Sequence, residues 1–353
     1  MEETRSPLDY WCPSVVDLIF QHFSIGELLK LTEVSSDFWS FVASYRKFRD
    51  NIAFKVNSSR HLGAKNFVIF LKSVKREYEN LTVEGNESIE SIEIILRHLK
   101  SNWKCVKISN MIFNGPTLLQ NFIDGVQNNL EEFVMTSVFI FNCDKKILMS
   151  FPRLKRLEMV DCNDQENTPV KRISFVISDC KELKTLKFNY AGVSDDNQLK
   201  IFQENQTLKE VSLADLHDSF FYLLSAEVEL KLEKLEINFL PETTRTWKPH
   251  LIAFLRKQEK FLKNLEVSGW INMDLVEVCY KMPKLKSLKL TKVKKFFMKL
   301  NDQELDQRLA TSHSLRHLII EDDLTDYHNI WFTFLNHAPN LTHFQMSNSF
   351  CSI

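Results

Sequence analysis

A spaced trio of apolar residues recurs along most of the chain and constrains its fold more than any other feature. Apolar side chains stand at positions i, i+3 and i+5, and eleven copies follow one another at spacings of 23 to 30 residues. The copies start at Tyr78, Trp103, Leu130, Leu154, Leu183, Leu208, Leu232, Leu262, Leu285, Leu315 and Leu341. Self-similarity at such a period indicates structural units that stack on one another.

Each copy predicts one strand followed by one helix. The residues at i+3 and i+5 alternate as in a strand and share one face of a sheet. Helical spacing follows, for example in residues 92–99, 118–126 and 251–255. A single strand and helix cannot bury their apolar faces alone, so the units must stack. A weaker unit on the same alternation, Ile52 and Phe54, predicts a strand that caps the first edge.

This pattern resembles the leucine-rich repeat. The resemblance implies an α/β solenoid with parallel strands on its concave face and helices on its convex face, over residues 49–353 with a capping unit at 49–77. Cys162 and Asn86 stand at i+8, where that family places Asn or Cys.

Glycine is scarce, with 7 residues in 353. Few positions therefore allow the backbone to close over a phosphate, which disfavours nucleotide enzymes built on glycine loops. The turns between units are instead expected to use Asn, Asp, Ser and Lys.

A short helical segment precedes the repeats. Ser14 opens an apolar stripe of helical spacing, Ser24 with Glu27 forms a capping box, and Ser36 caps a third short helix. This segment, residues 9–48, resembles the F-box. The matching residues are Ile19-Phe20, Phe23, Glu27-Leu28, Val34-Ser35 and Phe38, with Cys12-Pro13 where the motif has Leu-Pro.

An F-box followed directly by leucine-rich repeats is characteristic of F-box/leucine-rich-repeat proteins. The resemblance implies a substrate receptor of a Skp–cullin–F-box ubiquitin ligase, which binds the Skp adaptor and through it a cullin, and performs no chemistry itself. Residues of the apolar stripes either contact the adaptor or pack the three helices together; the candidates are Pro13, Val16, Ile19, Phe20, Phe23, Leu28 and Leu31. The alternative is a repeat scaffold or inhibitor whose F-box no longer binds the adaptor.

Residues at i+2, i+4 and i+6 point away from the buried face and form the candidate surface for a protein substrate. Eleven strands span an arc of roughly 50 Å, which is protein-sized. The candidate substrate-binding residues are Arg156, Glu158, Lys187, Lys234, Glu236, Glu266, Lys289, His317 and His343.

Three smaller features of this surface carry further hypotheses. Position i+1 holds mostly Lys, which is either a basic rim for acidic or phosphorylated segments or a solvated turn. His317 and His343 should be neighbours with His313 nearby, as a metal or pH-sensing site or as plain polar surface. Cys105, Val134 and Ile319 are either apolar anchors for a partner or part of the sheet surface.

Charge and composition exclude several functions. The chain has 45 basic and 46 acidic side chains, so neither a nucleic acid nor an anionic membrane is an expected partner. The seven cysteines lie without a CxxC pair and are expected to be reduced. No catalytic or metal-binding set of residues stands out, no cofactor is expected, and the chain begins without a secretory signal. We expect a protein of the cytoplasm or nucleus.

Overall fold

A computed structural model describes residues 53–57, 78–84, 102–113, 115–141, 146–164, 175–189, 193–214, 229–239, 248–269, 271–292, 306–321 and 328–347. The predicted F-box at 9–48, with all seven adaptor-binding candidates, lies outside the described residues. So do Asn86 and the helical pattern at 92–99.

The chain folds around a large parallel sheet. Its strands lie in the order β1-β2-β3-β4-β6-β9-β10-β11-β12-β13-β14-β15, with β7 paired to the second half of β4. Their bounds are β1 Ala53–Asn57, β2 Asn80–Glu84, β3 Cys105–Phe113, β4 Glu132–Ile140, β6 Arg156–Val160, β7 Asn163–Asp164, β9 Thr185–Asn189, β10 Glu210–Ala214, β11 Lys234–Asn238, β12 Asn264–Ser268, β13 Ser287–Thr291, β14 His317–Glu321 and β15 His343–Ser347. The α/β class is confirmed, and each repeat contributes one strand to the continuous order of the large sheet.

The register of the sheet follows the repeat. The residue at i+3 of each unit pairs with the residue at i+3 of the next, from Leu81 opposite Val106 to Leu318 opposite Phe344. β1 continues this register beyond the first repeat, with Phe54 opposite Leu81, so the predicted edge strand exists. A one-residue slip would turn every apolar side chain to the wrong face, which is why the pattern sets the register.

The predicted apolar positions form the core. The residues at i+3 and i+5 are buried in the first ten units, from β2 to β14. The last unit, which contains β15, differs. There, Leu341 and Phe344 are only partly buried, because no further described strand stacks beyond β15.

Helices pack on the core side of the sheet. They are α1 Pro116–Val126, α2 Asp195–Glu204, α3 Lys248–Gln258, α4 Met273–Lys281 and α5 His328–Asn336. The stripes predicted in residues 118–126 and 251–255 lie in α1 and α3, where Leu119, Phe122, Leu251 and Leu255 are buried in the same cluster as the strands.

Two units depart from the expected strand-helix order. Between β4 and β9 the chain forms two short strands on the core side, β5 Ile147–Ser150 and β8 Phe175–Ser178, which pair in parallel as a separate sheet. Their apolar residues alternate, with Ile147 and Met149 buried and Leu148 exposed, so a strand buries them where a helix would not. The expectation of a helix after every strand is therefore wrong in these units.

Amide side chains close both edges of this small sheet. Gln120 of α1 donates from Nε2 to the carbonyl of Leu148 and accepts from its N–H, both at 2.8 Å. On the other edge, Asn197 of α2 bonds the N–H and the carbonyl of Ile177 at 2.9 and 3.1 Å. Each amide thus takes the place of a missing neighbouring strand, which satisfies backbone groups that an edge leaves open.

Removing one of these amides should destabilise the small sheet. We expect Asn197→Ala to lower the free energy of unfolding by about 1–3 kcal/mol, because the part-buried Ile177 amide loses its partner. Gln120→Glu should cost at least as much as Gln120→Ala, because one carboxylate oxygen would face the Leu148 carbonyl and the Asp124 carboxylate, to both of which Nε2 now donates. Urea titration measures both. A Gln120→Glu variant that is clearly more stable than Gln120→Ala would contradict the donor role of Nε2.

Five units have a residue with positive φ at position i+7, and four of these are residue types expected in place of glycine. Position i+7 has a positive φ at Asn110, Ser137, Asp161 and Lys292, with values of 53° to 58°. In a fifth unit the same position is Gly269, with φ of 95°. Asn and Asp tolerate the left-handed region because their short side chains bond locally, so the chain needs few glycines there.

No helix in the described part of the chain has the length and apolar character needed to cross a membrane.

Candidate functional site

The face of the sheet opposite the core carries the candidate substrate-binding residues. We call it the open face; it is formed by the residues at i+2, i+4 and i+6 of each unit. Burial alternates as predicted, for example in β6 and β12, where the residues at i+3 and i+5 are buried and those between them are not. Because the strands are in register, the open face consists of three rows that cross all the repeats.

The candidates fall in two of these rows. The i+2 row holds Arg156, Lys234, His317 and His343. The i+4 row holds Glu158, Lys187, Glu236, Glu266 and Lys289, in that order along the sheet. The structure therefore places all nine on one face, although not all of them in contact.

Charged side chains pair near the β4–β6 border. The Arg156 guanidinium lies 2.7 Å from the Glu158 carboxylate. On the other side of β4, the Cys105 thiol of β3 donates to the carboxylate of Glu132 in β4 at 3.7 Å. Burial, with the Glu132 carboxylate beside it, raises the pKa of Cys105 to about 11. The hypothesis that Cys105 is an apolar anchor therefore did not include its hydrogen bond to Glu132.

A second cluster centres on Lys289. Its ammonium lies 2.9 Å from Glu266 and 3.2 Å from Glu321, which stand on the strands either side. Burial alone would lower the pKa of Lys289, but the bonds to the two carboxylates outweigh it and raise this pKa. Glu321 was not among the sequence candidates, and only the register brings it to Lys289.

The two histidines are neighbours as predicted. The rings of His317 and His343 have centroids 5.9 Å apart and are tilted by 41°. Both side chains are exposed. His313 contributes its carbonyl, which accepts from Arg316 and Asn340. Within the described residues, no group of three or more His, Cys, Asp or Glu is arranged to hold a metal ion.

The remaining charged candidates are separate. Lys187, Lys234 and Glu236 form no ion pair with another described residue. Lys187 stands in register beside Glu158, and Glu236 beside Glu266. The open face therefore mixes both signs at close range without a region of one sign.

The apolar candidates and the middle of the face complete the surface. Val134 and Ile319 are half-buried; Val134 stands between Lys107 and Glu158 in its row, and Ile319 between Lys289 and Gln345. Ser212 and Ala214 of β10 are only 8% and 7% exposed, although their positions predicted exposure. Both are small and lie beside larger side chains, so the face is recessed there.

The thiols of the core are not nucleophiles at neutral pH. Burial raises the pKa of Cys162, Cys180 and Cys279 to about 12. A thiol with such a pKa is almost entirely protonated at pH 7, and the thiolate is the reactive form. Cys162 instead lies at i+8 of its unit, where its Sγ donates to the carbonyls of Met135 and Val160.

The residues at i+1 form a further row, which we call the entry row because the chain enters each strand there. The N–H of every member donates to the carbonyl of the preceding member at 2.7 to 2.9 Å, from Lys104 to Thr342. Lys104 pairs with Glu79, Lys155 with Glu131, and both Lys209 and Lys263 with Glu233, at 2.5 to 3.1 Å. The predicted row of lysines exists, and four of its six lysines pair with a carboxylate.

No protein-family model and no curated protein matches the sequence.

Proposed function

We propose that the protein is the substrate receptor of a Skp–cullin–F-box ubiquitin ligase. In this proposal residues 9–48 are an F-box that docks the Skp adaptor, and the sheet is the face of a leucine-rich-repeat solenoid that binds a protein substrate. The observation that carries the proposal is the in-register stacking of eleven sequence repeats in one parallel sheet, directly after a segment that resembles an F-box.

The open face has the properties of a protein-binding surface. It is about 50 Å across, it mixes carboxylates and ammonium groups, and its half-buried Val134 and Ile319 offer apolar contacts between polar and charged neighbours. A phosphate-tracking surface would be basic throughout. The chemistry of ubiquitin transfer is supplied by other subunits, and the receptor contributes by holding a substrate lysine near the loaded enzyme.

A repeat scaffold or inhibitor is the second candidate. The observation that favours it is Cys12-Pro13 in place of the Leu-Pro of the F-box motif, together with Phe38 in place of its Trp. A scaffold would use the same open face but would not bind the adaptor.

Adaptor capture distinguishes the two candidates. We expect the full chain to copurify with a Skp adaptor and Ile19→Asp or Leu28→Asp to abolish this, because a carboxylate in an apolar interface loses its hydration without gaining a partner. Ile319→Asp introduces the same carboxylate on the open face. This variant is the matched control and should still bind the adaptor. Circular dichroism checks that the repeats of all three variants stay folded.

Wild-type protein that never captures the adaptor, where a known F-box protein does under the same conditions, would refute the ligase proposal. That result would favour the second candidate function, a repeat scaffold or inhibitor.

A further inference from the structure

Net positive charge in the entry row is confined to one half of it. The first four members alternate, Glu79, Lys104, Glu131 and Lys155, and form two ion pairs. The next six, in consecutive strands, are Lys184, Lys209, Glu233, Lys263, Lys286 and Arg316. Five cations and one carboxylate leave this half with a net charge of +4.

Three of these cations have no carboxylate partner among the described residues. Lys184 and Lys286 are exposed and form no ion pair there. Arg316 donates from its Nη1 atom only to the carbonyls of His313 and Asn340, which hold the side chain without neutralising it. The Glu233 carboxylate accepts hydrogen bonds from Lys263 and Lys209. These bonds, that from Lys263 most strongly, lower the pKa of Glu233, so its carboxylate stays ionised.

Flanking residues add to this charge. The two positions before the leucine at position i of these six units hold four exposed lysines and one glutamate. They are Lys181, Lys231, Lys260 and Lys284, and Glu182. One position further out, Glu229 and Glu259 are the acidic residues. The strip as a whole, which we call the basic edge, has nine cations and four carboxylates, in a chain whose net charge is −1.

Repulsion between these cations destabilises the folded protein, and a bound anionic partner would relieve it. Neighbouring strands are about 4.8 Å apart, well inside the Debye length of about 8 Å at physiological salt, so adjacent cations repel one another. Like charges directly opposite in a sheet are destabilising. The first half of the same row shows that alternation is available to this fold, because Glu and Lys alternate there.

We propose that the basic edge binds an acidic segment of the protein substrate. The segment is an extended stretch rich in Asp and Glu that runs across the strands from Lys184 to Arg316, about 24 Å, which about seven residues span. The inference rests on the proposed function, because it assigns part of substrate recognition to this edge while the open face binds the rest.

A peptide matches the edge better than a nucleic acid does. Ion pairs with carboxylates already occur in the row, at Glu233, Glu131 and Glu79, so its lysines are held where a carboxylate reaches them. Nucleic-acid binding also uses aromatic side chains for stacking, and the Phe261 ring of this edge is covered by Lys231 at 5.9 Å.

The test measures binding of a fluorescein-labelled peptide of ten glutamates to the full chain by anisotropy, without the adaptor. We expect Lys184→Glu with Lys286→Glu to weaken binding at least about tenfold, and Glu233→Gln to strengthen it severalfold. The control pair, Lys200→Glu with Lys281→Glu on the helices, makes the same change in net charge and should stay within about twofold.

Several results would overturn the proposal. Equal weakening by the two double variants would mean that only the net charge of the chain matters. A glutamine peptide that binds as tightly, or a single-stranded RNA of ten nucleotides that binds more tightly, would exclude an acidic peptide as the ligand. Glu233→Gln provides a readout even if a double variant fails to fold. Adaptor capture, measured on the same preparations, reports separately on the proposed function.

Discussion

Gly269→Ala is expected to destabilise the protein by about 2–4 kcal/mol, although the change adds only a methyl group. Gly269 has φ of 95°, and a Cβ atom at this position would lie 2.3 Å from the carbonyl oxygen of Phe239 on the neighbouring repeat. The obstructing atom belongs to the backbone. The adjoining peptide unit is held by the bond from the Phe239 N–H to the Ser268 carbonyl, so the Phe239 backbone cannot move aside cheaply.

The matched control for this prediction is Asp161→Gly. Asp161 occupies the same i+7 position in another unit with φ of 54°, where a side chain is accommodated. Glycine there relieves left-handed strain but adds freedom to the unfolded chain, and the two effects nearly cancel, to within about 0.5 kcal/mol. Urea titration of both variants measures the difference. If Gly269→Ala unfolds at the wild-type midpoint, the close approach of the two repeats is wrong.

Phe133→Ala should cost about 3–5 kcal/mol, the range for truncating a fully buried aromatic side chain. Phe133 is the i+3 residue of β4 and is 0% exposed; its ring lies 5.4 Å from that of Phe151, which is equally buried. β4 pairs with β3 on one side and β6 on the other, so the resulting cavity would face two repeats at once.

Val134→Ala, on the next residue of the same strand, is the control. Val134 lies on the open face and is only half-buried, so its truncation should cost less than about 1 kcal/mol. Each repeat contacts mainly its neighbours, so hydrogen exchange in Phe133→Ala should accelerate most in β3, β4 and β6. Uniform acceleration from β2 to β15 would instead show that the sheet unfolds as one cooperative unit.

The strands were predictable because a single periodic pattern sets both their positions and their register. The turns were predictable for a related reason: a chain poor in glycine must place Asn, Ser, Asp or Lys at the positive-φ position, as at Asn110 and Lys292. The strands β5 and β8 were not predicted as strands, since four-residue apolar segments do not distinguish a strand from part of a helix.

The candidate site was also predictable only in part. The pattern placed all nine candidates on one face and Glu266 beside Lys289, yet it did not pair Lys289 with Glu321, which lies diagonally on the next strand and 32 residues away in the sequence. It also missed Gln120 and Asn197, whose backbone partners lie 28 and 20 residues away. A side-chain bond over such separations depends on how connecting segments pack, and connecting segments vary in length from repeat to repeat.

The repeat pattern specifies the strands of the large sheet, their order and the face that each of their side chains takes, because burial of one residue in two leaves no other register for this sheet. Which charged side chains pair depends on the packing of the folded repeats. The entry row shows this most clearly: its lysines and glutamates are evident from the sequence, but stacking at one strand spacing pairs the first four and leaves Lys184, Lys286 and Arg316 without a carboxylate among the described residues. Electrostatic interaction depends on distance through space, and the distances exist only once the repeats are stacked.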